Sequence, residues 1–210
     1  MKFLRLFMAF LIGMAITGFL ISSGMSRWLV FLIVIITYLA IMVLPGMYVV
    51  YFSNSLRRIE RYIKRNRFKA IFAYPYALGH GSDEDVETAI ELILATHKQE
   101  PIQSVYRTVL AIHRGYPGIA AQHAEGIVRE PIHSYYMAQA TAAAGNLEHA
   151  AELNQRISEP WMKHAIEALI AYEQNDDSFS SLAAQSVDSA RGIQKYTLEK
   201  SFARMKQPIA

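Results

Sequence analysis

Apolar and polar positions divide the chain into three unlike stretches. From Leu6 to Ile21 no residue is charged, and after the polar stretch Ser22 to Arg27 a second uncharged run extends from Trp28 to Phe52. At about 1.5 Å per helical residue the runs reach roughly 24 Å and 37 Å, against a hydrocarbon core of about 30 Å. The second spans a bilayer by itself. The first spans if Phe3 and Leu4 join it and Lys2 and Arg5 snorkel to the headgroups; its alternative reading is a cleaved signal peptide. Between Asn54 and Lys69, Leu56, Ile59 and Ile63 recur at helical spacing and predict a helix that continues the second span.

Beyond Lys69 the pattern becomes periodic. The triplets Glu100-Pro101-Ile102, Glu130-Pro131-Ile132 and Glu159-Pro160-Trp161 recur at steps of 30 and 29 residues, and a fixed step of this size marks stacked supersecondary units. Proline is tolerated in a first helical turn, so each triplet opens a helix. The apolar positions that follow recur as Ile102/Ile132/Trp161, Tyr106/Tyr136/Ala165, Val109/Gln139/Ala168 and Leu110/Ala140/Leu169, one face of a 3.6-residue helix. Breaks at Arg114 to Gly118, Gly145-Asn146 and Asn175 to Ser178 close each first helix, and the second helices share Ala120-Ala121, Ala150-Ala151 and Ala183-Ala184 as close-packing pairs. Upstream, Ala70 to Gln99 reads as a degenerate first unit. Tyr76 stands 30 residues before Tyr106, Pro75 interrupts its first helix, and Ser82 with Asp85 caps its second. Gln194 to Met205 reads as a capping helix over the last open face.

The stretch Tyr136-x-x-x-Ala140-x-x-x-Ala144-Gly145-Asn146-Leu147-Glu148-His149-Ala150-Ala151 resembles a tetratricopeptide-type repeat, with a step of about 30 residues in place of that family's 34. The fold class expected is therefore all-α: a transmembrane helical hairpin over residues 1–53, a basic helical connector over 54–69, and a tetratricopeptide-like α-solenoid of about four hairpins over 70–210. The resemblance implies protein or peptide binding without intrinsic catalysis.

Charge sharpens the topology. Residues 1–69 hold ten Lys and Arg against one acid, and residues 70–210 hold eleven against seventeen, so the overall +3 averages two unlike halves and is no nucleic-acid signature. Basic residues flank the two apolar runs on their outer sides, with Arg27 alone between them, which places both termini and the main domain in the cytoplasm. Arg57, Arg58 and Arg61 stand nearest the leaflet as candidate contacts for anionic lipid. Ala9, Gly13 and Thr17, at four-residue steps, form a candidate seam for helix packing in the membrane, within the chain or in a homo-oligomer. Pro45-Gly46 predicts a kink in the second span.

Chemistry is sparse. There is no cysteine, and the closest pair of the seven histidines is ten residues apart, too far for one helix to present both to a metal. Phosphate-loop, dinucleotide, zincin and serine-hydrolase motifs do not occur. Neither cofactor nor metal is expected, and the chain reads as a membrane-anchored adaptor of no enzymatic activity. The alternative is a non-catalytic accessory or lipid-handling subunit of a membrane complex. Tyr106, Tyr135, Tyr136 and Trp161 are the candidate anchors for a bound protein or peptide.

Overall fold

The computed structural model describes residues 2–206, and their side chains other than those of residues 2–6 and Ala9. Among the described residues the fold is all-α, twelve α-helices and one π-turn without a strand. It divides into two compact units, Met1–Phe52 and Ser53–Ala210.

In the first unit, α1 (Lys2–Ser22) and α2 (Arg27–Met47) form an antiparallel pair, and Ser26 caps α2 by accepting a hydrogen bond from the Leu29 amide. The connecting turn uses Gly24 in the left-handed region, φ 76°. The pair touches through half-buried Gly13, Ile16 and Thr17, and a Cβ on Gly13 would stand 3.7 Å from Val34. Large side chains such as Phe10, Phe19, Trp28 and Phe31 point outward, and Val30 is the only buried position among the described side chains of this unit. Arg27–Phe52 is long and apolar enough to cross a membrane. At Pro45, where a kink was expected, α2 stays helical through the proline and then widens into a π-turn at Tyr48–Phe52. Proline cannot donate to the Ile41 carbonyl, and loosened ladders of this kind admit a wider turn.

The second unit corrects the expectation that α2 runs on into the connector. The helical pattern stops at Ser53, Asn54 and Ser55. Ser53 is buried, its hydroxyl accepts from the Ser55 amide at 3.3 Å, and its carbonyl accepts from the Gly192 amide at 2.8 Å. Those local bonds compete with the helical ladder and end it. α3 (Leu56–Asn66) then packs on α4 (Ala70–His80) and α12 (Gly192–Met205), with Ile59 and Ile63 wholly buried. The apolar stripe thus belongs to the folded domain, which starts at Ser53 where residue 70 was expected.

Four helical hairpins follow: α4 with α5 (Asp83–Thr96), α6 (Glu100–His113) with α7 (Pro117–Glu125), α8 (Ile132–Ala143) with α9 (Leu147–Gln155), and α10 (Pro160–Glu173) with α11 (Phe179–Ser189). Ser82 and Asp85 form the capping box, each side chain accepting from the other's amide, at 3.2 and 2.8 Å. The last three hairpins turn alike. Gly115, Gly145 and Asn175 take left-handed φ of 73°, 80° and 54°, and the next amide closes back five residues: Tyr116 to Ala111, Asn146 to Thr141, Asp176 to Ala171. This pattern satisfies helix-end carbonyls that would otherwise be orphaned.

Two details depart from the apolar pattern. Of each alanine pair only the first member is buried, Ala120, Ala150 and Ala183, whereas Ala151 and Ala184 are exposed and Ala121 half-buried. One helical step of 100° separates neighbours, so both cannot face one partner. In α6 the apolar row Ile102, Tyr106, Val109 and Leu110 is only half-buried, while Ser104, Thr108 and Ala111 are fully enclosed. α6 is packed by α5, α7 and α8 together, and the crowded side takes small residues. A Cβ on Gly126 would stand 2.9 Å from the Ser104 hydroxyl.

Pro75 lies buried inside an unbroken α4, where an interruption was expected. One turn on, a Cβ on Gly79 would overlap the hydroxyl of fully buried Tyr196, so α4 and α12 approach closely there.

α12 does more than cap. It packs on α11 and returns to α3 and α4, joining the last hairpin to the first. Arg204 carries the junction: its guanidinium donates to the carbonyls of Ala77, at 2.9 Å, Leu78, at 2.9 Å, and Gly81, and pairs with Asp83. These carbonyls end α4, and a cation there also complements the helix dipole. Lys195, buried, donates to the Val187 carbonyl at 2.8 Å and closes α11 in the same way.

Candidate functional site: an aromatic face on the first helices

The first helix of each hairpin contributes an aromatic residue to one neighbourhood. Tyr74 of α4 meets Tyr106 of α6 edge-on, ring centroids 6.0 Å apart. In α8, Tyr135 contacts Tyr136 at 5.2 Å and Trp161, at the start of α10, at 5.4 Å. Tyr135 is core, buried in the cluster that joins α8 to α12. Tyr74, Tyr106, Tyr136 and Trp161 are half-buried, packed against the apolar clusters of the domain.

Burial raises the phenol pKa of Tyr74, Tyr106, Tyr135 and Tyr136, because the phenolate would lose its water. The rings reinforce one another. Tyr135, Tyr106 and Tyr74 each push Tyr136 further up, while the Arg204 guanidinium partly offsets the rise at Tyr74. These phenols are neutral at physiological pH, and the upward shifts move their ionisation further into the alkaline range. A base or nucleophile needs the opposite shift.

The candidate anchors Tyr106, Tyr136 and Trp161 therefore share a face, with Tyr135 behind it. Tyr74 and Arg204 were missed. The 30-residue step pointed to Tyr76, but Tyr76 turns toward Arg67, whose Nη1 donates to its hydroxyl at 3.3 Å, and stacks near His80. Two residues along a helix rotate by about 200°, so an alignment error of that size selects the opposite face. Arg204 carries no sequence signal, since its partners are carbonyls more than a hundred residues away.

The remaining candidates are scattered. Arg57, Arg58 and Arg61 are exposed on α3. Gly13 stands against Val34 of α2 and Thr17 is half-buried, its hydroxyl donating to the Gly13 carbonyl at 2.7 Å; the Ala9 side chain of that seam lies outside the described residues.

 Of Ala9, then, only the helical backbone is described. The histidines are spread over the surface in separate contacts: His80 with Glu60 at 3.1 Å, His149 with Glu152 at 3.1 Å, and His164 with Glu167 at 2.9 Å. Among the described residues no three His, Cys, Asp or Glu side chains gather as a metal group. Ser82 acts as a helix cap.

The chain matches no family model, no curated protein and no solved structure.

Proposed function

We propose that the protein is a membrane-anchored adaptor of the cell membrane. In this reading α1 and α2 form a two-span hairpin with both termini and the main domain in the cytoplasm. The four helical hairpins form a tetratricopeptide-like solenoid that binds another protein or a peptide. The observation that carries the reading is the row of half-buried aromatics, Tyr74, Tyr106, Tyr136 and Trp161, drawn from four successive first helices. Rigid aromatic rings are enriched among the side chains that anchor partners. The three turns that repeat at 30-residue steps support the solenoid part of the reading. Outward-facing apolar side chains on both helices of the first unit support the anchor, since water would not tolerate such a surface. With Gly13 and Thr17 taken up by α2, the small-residue seam is assigned to packing within the chain.

Photo-crosslinking in the native membrane tests the binding face. A photoreactive residue in place of Tyr106 or Trp161 is expected to capture the same partner from both sites. One in place of Val128, 96% exposed in the loop before α8, should not. Identical adducts at all three positions, or none at Tyr106 and Trp161, would remove the aromatic face from the proposal.

Topology is tested separately. Reporters placed before Met1 and after Ala210 are both expected to read cytoplasmic, and an external reading of either would overturn the two-span hairpin.

A further inference from the structure

α3 presents two opposed faces. Ile59 and Ile63 are turned into the domain at zero exposure, and Arg57, Arg58, Arg61, Lys64 and Arg65 are all exposed. At 3.6 residues per turn those five fall within an arc of roughly 120°. Among the described residues none of the five enters an ion pair, and the one acid of the helix, Glu60, is engaged by His80. A basic helix that is fixed by its apolar side cannot rotate its charges away, so it holds them as a standing positive surface.

Phe68 stands in the turn after α3 and is 85% exposed, with the Arg67 guanidinium 4.9 Å from its ring centroid. An exposed aromatic beside clustered cations is the composition of an interfacial membrane contact. The domain is electrically polarised as well: residues 70–210 carry eleven Lys and Arg against seventeen Asp and Glu, so its positive end is α3. Only Ser53 to Ser55 separate α3 from the end of the apolar stretch at Phe52, a reach of at most about 11 Å.

We infer that the exposed side of α3, with Phe68, docks on an anionic lipid leaflet. The cations meet lipid phosphates and carboxylates, and Phe68 enters the headgroup layer. Docking gives the domain a fixed orientation on the leaflet. The inference rests on the membrane reading above. Nucleic acid, the other polyanion, is disfavoured by the acidic remainder of the domain.

The absence of cysteine allows a single reporter. The full chain with Phe68→Cys, labelled with an environment-sensitive dye, is placed in nanodiscs of phosphatidylcholine alone or of phosphatidylcholine with phosphatidylserine. In the anionic discs the dye is expected to shift to the blue, and its quenching by acrylamide to fall roughly twofold or more. Both effects should disappear in high salt, where screening shortens to about 3 Å at 1 M, and in the variant that adds Arg57→Gln, Arg58→Gln and Arg61→Gln. Dye at Val128→Cys should ignore lipid composition.

Equal quenching in the two lipids, or an equal response at position 128, overturns the docking while leaving the anchor in place. Protection by an oligonucleotide in phosphatidylcholine discs overturns it in favour of nucleic acid. A chain that does not enter phosphatidylcholine discs at all overturns the anchor, and the docking with it.

Discussion

Raising the pH of the protein above about 10 is expected to unfold the domain of residues 53–206 in one cooperative step. Five phenols, Tyr74, Tyr106, Tyr135, Tyr136 and Tyr196, have pKa values raised above the ordinary 10.0 by burial, Tyr196 to about 12. The unfolded chain releases these protons near pH 10, whereas the native chain holds them to higher pH. Above pH 10 the native state therefore binds more protons than the unfolded state, and stability falls as pH rises. Below 10 all five are protonated in both states and the contribution is constant. The five shifts act in the same direction, so their losses accumulate against a net stability that is typically only about 5–15 kcal/mol. Tyrosinate absorbance and far-ultraviolet circular dichroism should change together between about pH 10 and 12, and Tyr136→Phe should move the step to higher pH. A gradual rise in absorbance centred on the ordinary pKa, with the helices intact, would show that the aromatic face is open to water.

Replacing Ala150 with leucine is expected to lower the melting temperature of the domain by several degrees. Ala150 has no exposed surface, and α9 packs there on α8 and α10. The added side chain overpacks a backbone contact, which costs about 1–3 kcal/mol, or about 2–4 °C per kcal/mol in a domain of this size. The same substitution at Ala151, and Glu148→Ala, both on exposed positions, should each stay within about 0.5 kcal/mol. Thermal melts of the three variants decide it. If Ala151→Leu or Glu148→Ala were the most damaging, the buried face of α9 would be wrongly assigned.

The helices and their ends were legible in the sequence because their signals are local. Pro101 and Pro160 stand in first turns, Gly145 and Asn146 end one helix and open the next, and Ser82 with Asp85 forms a capping box. What each helix packs against was not legible. The stripe of Leu56, Ile59 and Ile63 reads the same whether α3 stands free or is embedded, and only the small contact surfaces of α4 and α12 decide between them. Part of the aromatic face could be read from Tyr106, Tyr136 and Trp161, which share the 30-residue register. Tyr74 could not, because the first unit departs from that register by two residues. Alanine pairs suggested close approach, but which member approaches depends on the partner's position and not on the pair.

The return of α12 to α3 and α4 has a consequence for the order of folding. Arg204 bonds to carbonyls 126 and 127 residues earlier in the chain, and contacts of such separation are slow to form because a long loop must close first. During synthesis α1 and α2 emerge well before residue 204, so they can pair before the domain is complete. The first hairpin must then wait, its Tyr196 and Arg204 contacts unmade, until the last helix leaves the ribosome. A linear array loses a terminal unit at the expense of one neighbour, but a chain ended before Gly192 would forfeit support at both ends of the row together.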